Sequence, residues 1–255
     1  MNPMNARIRY LAAGALLLMA SCSKTQTYPT SPLSTYYPLD TGKYILYRID
    51  SLVFTNFGQN TEIHSYIAKD TIDALIADNL GRPTYRVHRF LTDTLMANPW
   101  QDDITYTVTP TTNTIEVVEN NLRFVKLTEP FTTNLTWYGN SYLGDAPYQT
   151  FYGSLTSQTE LQFWQFNYAN IGQPYQVGTI TIPNSITVQQ ADDSTNLPLP
   201  SDSVFANKSF GLEVYGAGIG LVYKSYILWD FQPVTPDLPG HYEGFGVTQY
   251  LLGHN

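Results

Sequence analysis

The chain contains one cysteine in 255 residues, and only 13% of its residues carry charge. That cysteine, Cys22, lies at the end of an N-terminal apolar stretch, so the body beyond it has no disulfide, no thiolate nucleophile and no cysteine-based metal site. Lys and Arg total 13 against 21 Asp and Glu, a net charge of −8. The basic residues are scattered, which argues against a phosphate-backbone partner; no nucleic acid is expected. No apolar run reaches the roughly 20 residues a membrane-spanning helix needs. Helix-forming Ala/Glu/Lys/Leu stretches are also missing after the N-terminus. In their place stand 20 Tyr, 12 Phe and abundant Thr, side chains that pack well on pleated strands.

The first residues have the order of an export signal. Arg7 and Arg9 precede an apolar run from Leu11 to Ala20, and Met19-Ala20-Ser21-Cys22 follows the bacterial lipobox pattern of one apolar residue, two small residues and Cys. The small residues admit a signal peptidase, and the thiol accepts the lipid. Cys22 is therefore the expected lipidation site. Two or three acyl chains, at about 0.8 kcal/mol per buried methylene, would hold the protein to a membrane. Residues 1–21 read as signal, 22–35 as lipidated Cys plus a Ser/Thr/Pro tether, and 36–255 as a single domain.

From Tyr36 onward, short alternating runs are separated by turn residues. Lys43 to Phe54 sets Ile45, Tyr47, Ile49 and Val53 on one face and Arg48 and Asp50 on the other, the period of a strand. Glu62–Lys69, Thr84–Met96, Ile104–Thr109, Thr114–Val118, Leu122–Thr128, Gln176–Gln190, Phe210–Tyr215, Ile219–Phe231 and Phe245–Leu252 read similarly. Thr71–Asn79 fits helix or strand spacing and leans to strand. Asn120-Asn121 suits a tight hairpin, since Asn tolerates left-handed backbone angles. Pro130 to Gly172 is irregular. With about ten strands and no long crossovers, the sheet must be mainly antiparallel. It should curl into a half-barrel, a barrel or a sandwich.

Signatures of catalysis are few. Gly139-Asn140-Ser141-Tyr142-Leu143-Gly144 is one residue too long for a nucleophile elbow. His64, His88, His241 and His254 show no metal-ligand spacing, so neither a metal nor any other cofactor is expected. Gly216-Ala217-Gly218-Ile219-Gly220 precedes a strand rather than a helix and reads as a turn, not a phosphate loop. Glu119, Glu129, Glu160, Glu213, Asp230 and Glu243 could supply a glycosidase pair, but no spacing selects two. Trp137, Tyr138 and Trp164 lie outside regular alternation and are the candidate ligand-binding aromatics, able to stack on a sugar or line an apolar cavity.

Tyr37-Pro38-Leu39-Asp40-Thr41-Gly42-Lys43-Tyr44, Trp137-Tyr138-Gly139-Asn140 and Glu213 to Lys224, with the closing Gly244-Phe245-Gly246-Val247 and His254-Asn255, resemble a group of lipoproteins from Bacteroidota that has no assigned activity. The likeness runs over essentially the whole mature chain. It implies an outer-membrane anchor. Because Ser23 to Thr27 carries no acidic residue, it also implies a domain facing the periplasm. Asp50-Ser51-Leu52, Asp70-Thr71-Ile72, Asp93-Thr94-Leu95, Asp193-Ser194-Thr195 and Asp202-Ser203-Val204 resemble the O-glycosylation sequon of those bacteria; the plain alternative is that they mark turns and strand ends. The expected function is a non-catalytic binding or structural module of the envelope, its partner a protein, glycan or lipid. The alternatives are a carrier of lipid or another apolar ligand in a β-sheet cavity, and a glycan-acting enzyme.

Overall fold

A computed structural model describes residues 31–153 and 155–255. Cys22 and the signal-like stretch lie outside the described residues. The described chain is mainly β, as the alternating patterns require. Its strands are β1 (Tyr44–Thr55), β2 (Asn60–Ala77), β3 (Pro83–Thr92), β4 (Gln101–Pro110), β5 (Thr114–Glu119) and β6 (Leu122–Thr128), then β7 (Thr136–Tyr138), β8 (Gln165–Val177), β9 (Ile180–Thr195), β10 (Ala206–Gly216), β11 (Gly220–Gln232) and β12 (His241–His254). They form one antiparallel sheet of twelve strands in the order β6-β5-β4-β3-β2-β1-β12-β11-β10-β9-β8-β7. Strands adjacent in sequence pair, except β6 and β7, and β1 pairs with β12.

The sheet curls into a nearly closed barrel whose remaining seam lies between β6 and β7. Four hydrogen bonds stitch that seam: the Val125 N–H donates to the Gly139 carbonyl at 2.7 Å, Trp137 Nε1–H donates to the Val125 carbonyl at 2.9 Å, and the Tyr168 hydroxyl both accepts from the Thr128 N–H and donates to the Thr128 carbonyl, each at 2.8 Å. Register shifts in β1, β2, β3, β5, β8, β9 and β10 supply the bends that curvature needs. Outside, Arg48 pairs with Asp50 and Arg86 with Asp73. Such charges interrupt the apolar exterior band a lipid-embedded barrel carries.

Because the strands alternate in direction, connections fall at two ends, here called base and rim. At the base a helical turn, α1 (Leu33–Tyr36), plugs the barrel. Leu33 and Tyr36 are buried with Val87, Val108, Ile115, Leu127, Phe131 and Phe166. Burying one such leucine contributes about 2 kcal/mol, which is why Leu33 belongs to the domain and not to the tether that composition assigned it. Its N–H donates to Glu129 Oε1 at 2.7 Å, and the Gly218 N–H donates to the Thr35 carbonyl at 2.7 Å. Gly216 to Gly220 is indeed a turn at this end, with φ of +75° at Gly218.

The rim half has a second core of Phe124, Leu143, Leu161, Tyr226 and Leu228. Much of it comes from the region the sequence leaves irregular, which holds β7, the start of β8, a helical turn α2 (Gln149–Tyr152) and two 3₁₀ turns. Gln176 to Gln190, read as one strand, is divided by a turn at Gly178 (φ +55°) into the ends of β8 and β9. These two differences raise the strand count from about ten to twelve. The ambiguous stretch from Thr71 continues β2 as strand through Ala77. Asn120 and Asn121 both take positive φ, 52° and 61°, in the β5–β6 hairpin.

Candidate functional site

Between the base plug and the rim core the inward side chains are polar. On β2 and β3, Asp70 and Arg89 are direct cross-strand partners. Arg89 Nε and Nη2 donate to the two Asp70 oxygens at 2.6 and 2.7 Å, and the Tyr106 hydroxyl donates to Asp70 Oδ2 at 2.9 Å. From β6, Lys126 Nζ reaches across the lumen to donate to Glu213 Oε1 on β10 at 2.6 Å, while the Tyr215 hydroxyl donates to Oε2 at 2.7 Å. These are bidentate or doubly satisfied charges, the arrangement that makes burial of ions tolerable.

Two charges of the belt differ. Glu119, on β5, has its nearest cation in Arg89 Nη1 at 3.7 Å. Lys224 faces Glu213 directly across the β10–β11 ladder, but both Glu213 oxygens are already taken. Among the described residues Lys224 forms no hydrogen bond or ion pair, and its ammonium lies 6.0 Å from the Tyr226 ring centroid. Burial pulls its pKa down, with Lys126 and Arg89 reinforcing burial and Glu119 and Glu213 opposing it. For Glu119, burial pushes the carboxyl up, but Lys224, Arg89 and Lys126 outweigh it and the net shift is downward. Gln249 on β12 is buried beside them, and its side-chain amide is turned toward the Tyr47 hydroxyl, with no acceptor in full hydrogen-bond geometry at Nε2.

The lumen around this belt holds three adjoining cavities, each lined by both Glu119 and Lys224. One of about 70 Å³ lies toward the base plug and touches Tyr37, Ile72 and Leu221. Another of about 300 Å³ runs beside Ile49, Leu91, Ile104 and Gln249. The third, of about 340 Å³, opens toward the rim and is walled by Phe124, Tyr148, Phe151, Tyr152, Tyr226 and Phe245. It has the size and the apolar walls of a small-molecule site, with polar groups gathered at its floor.

The aromatic wall is built by α2. Tyr152 stacks on Phe245 at 4.6 Å, and Tyr148 meets the same ring edge-on at 5.1 Å. The loop is held down by Asp230, buried in β11, whose carboxylate accepts the N–H groups of Thr156 and, at 2.9 Å, Ser157. Gln158 braces it from inside, accepting from the Tyr148 N–H at 3.0 Å and donating to the Gly153 carbonyl at 2.7 Å. Phe151 projects furthest at the opening, 71% exposed, against 38% for Tyr152.

The aromatics singled out by sequence sit elsewhere. Trp137 locks the seam and packs on Tyr168 at 4.7 Å; Tyr138 is exposed on the short edge strand; Trp164 packs on Tyr226 at 5.9 Å, one layer outside the cavity wall. None of the three lines the lumen cavities. Of the carboxylates, Glu119 and Glu213 enter the lumen, whereas Asp230 caps a loop, Glu129 holds Leu33 and Glu243 lies 3.6 Å from His241. His88 stands opposite Thr71 rather than His64, so the two histidines do not converge.

Fold and lumen together define a nearly closed up-and-down β-barrel with a plugged base, a charged belt and an aromatic cup at the rim. The sequence matches no protein-family model, and no curated protein matches it either.

Proposed function

We propose that the protein is a membrane-tethered binding protein of the bacterial envelope that takes a small, partly apolar molecule into the rim end of its barrel. The observation that carries this reading is the aromatic-walled cavity of about 340 Å³ set over charged and amide groups with spare hydrogen-bonding capacity. A purely structural barrel gains little from an interior ammonium that has no hydrogen bond among the described residues, because desolvation of such a group costs several kcal/mol. The tether half of the proposal is supported by the order of basic, apolar and small residues before Cys22 and by the resemblance to Bacteroidota lipoproteins; Cys22→Ser should move the protein from the membrane to the soluble fraction.

The lumen is tested with a neutral environment-sensitive dye such as N-phenyl-1-naphthylamine. Wild type should bind it with enhanced emission. Val247→Trp, which fills the cup from the β12 wall, should abolish the enhancement while leaving the far-ultraviolet circular dichroism unchanged. Equal dye binding by a folded Val247→Trp variant would place the site outside the barrel.

A further inference from the structure

The cup could in principle take any small apolar molecule, but its floor is more selective. In the lumen Asp70, Glu119 and Glu213 balance Arg89, Lys126 and Lys224, and of the two further charges that line its cavities, Lys43, which donates to the Gly218 and Asn255 carbonyls, is offset in sign by Asp103. A ligand with a net charge would unbalance that set in a poorly solvated space, where unpaired charge is expensive. Within the set, Asp70 with Arg89 and Glu213 with Lys126 are closed pairs. Glu119 and Lys224 are the pair left apart: no ion pair joins them within 4 Å among the described residues, and in the strand order β5 and β11 stand six places apart out of twelve, on opposite walls. Both carry free hydrogen-bonding capacity into the same three cavities, and the buried Nε2 of Gln249, turned toward the Tyr47 hydroxyl without a fully formed bond, can add a donor on the lysine side of two of them.

On the lumen-binding reading, we infer that the ligand is a zwitterion with one bulky apolar body, its anionic group accepting from Lys224 and Gln249, its ammonium donating to Glu119, and its apolar part in the aromatic cup. A simple anion would suit Lys224 but face Glu119, and a simple cation would do the reverse. The chemistry is that of a large apolar α-amino acid, and also of the phosphoethanolamine end of a single-chain lipid.

Calorimetric titration of the full chain separates these cases. L-Phenylalanine, phenethylamine and 3-phenylpropionate share one apolar body and differ only in charge. The zwitterion should bind at least about tenfold tighter than either relative, the effect of one charge-assisted hydrogen bond. A lysophosphatidylethanolamine compared with the corresponding lysophosphatidic acid gives the lipid arm, and preference for the zwitterion in either arm identifies the source. Lys224→Met should erase the advantage of phenylalanine over phenethylamine, and Glu119→Gln its advantage over phenylpropionate. Lys224→Met should keep the far-ultraviolet circular dichroism of wild type and still bind the neutral dye, which keeps the test independent of folding. Equal binding of the three phenyl compounds, or tightest binding of a singly charged one, would overturn the inference. If the neutral dye still enters the cup in that case, the lumen reading stands without it; if the dye also fails, both fall.

Discussion

Two charged side chains on β11, six residues apart, show how differently the same interior can treat an ion. Asp230 is fully buried, yet two backbone N–H groups meet its carboxylate and hold the loop over the rim core. Lys224 has charged neighbours in Glu119 and Glu213 but no hydrogen bond among the described residues to hold its ammonium. Removing the first should therefore hurt the fold, whereas removing the second touches recognition. Asp230→Ala orphans the buried N–H of Ser157, at about 1–3 kcal/mol, and the part-buried N–H of Thr156, at less, so urea unfolding should show a loss of about 2–3 kcal/mol. A loss below about 1 kcal/mol would mean that water or a shifted loop replaces the carboxylate.

At the level of elements, the weak place in the barrel is β7, three residues long and joined to β6 by single contacts rather than a ladder. Gly139 makes that approach possible. A Cβ there would lie 2.1 Å from the Phe166 ring. Gly139→Ala should thus cost about 1–3 kcal/mol through overpacking and speed amide exchange at Val125, whose N–H bonds to the Gly139 carbonyl. Gly218 is the useful contrast: its φ is +75° but a Cβ meets nothing within 4 Å. Gly218→Ala should cost only the backbone term of about 1 kcal/mol and leave exchange at Val125 unchanged. Equal exchange rates in wild type and Gly139→Ala would show that the seam does not depend on this approach.

For the whole molecule, the buried phenols set the alkaline limit. Burial pushes Tyr47, Tyr168, Tyr215 and Tyr226 above the ordinary tyrosine pKa, with nearby carboxylates adding to it at Tyr47 and Tyr215. Burial likewise pushes Tyr148 up to about 12. A group whose folded pKa is raised binds its proton longer in the native state. Its contribution is complete below the unfolded value near 10 and is lost as pH climbs through the folded value. Lys224, with its pKa lowered, works the other way, but what it recovers comes as pH rises toward the ordinary lysine value and is complete there, mostly below the range in which the phenols ionise. The four fully hidden phenols outnumber it. Melting temperature should accordingly fall steadily between about pH 10 and pH 12, and phenolate absorbance should appear in two phases, exposed rings first and buried rings with unfolding. A single smooth titration of all tyrosines without loss of structure would contradict the closed interior.

Local pattern alone was enough for most strands, because alternation of period two is written directly in stretches such as Ile45, Tyr47 and Ile49, and because Asn120-Asn121 and Gly216 to Gly220 announce turns through backbone angles that few residues accept. The antiparallel sheet and its curvature follow from the same signals. Pattern failed where neighbours in space are strangers in sequence. Glu119, Lys224, Gln249, Tyr148 and Phe245 meet only because β1 pairs with β12 and brings the two halves of the chain around one lumen. Trp137 and Trp164 stood out by irregularity, which here marks the seam and the loop behind the cup. Leu33 looked like tether because one leucine among Ser, Thr and Pro has no period, and its burial depends on a plug site made by Glu129, Phe131 and the Gly218 turn. Strand identity is a property of adjacent residues and is carried by the sequence. The binding lumen is a property of closure, since only registers summed around twelve strands determine which charges are paired and which are left facing an empty space.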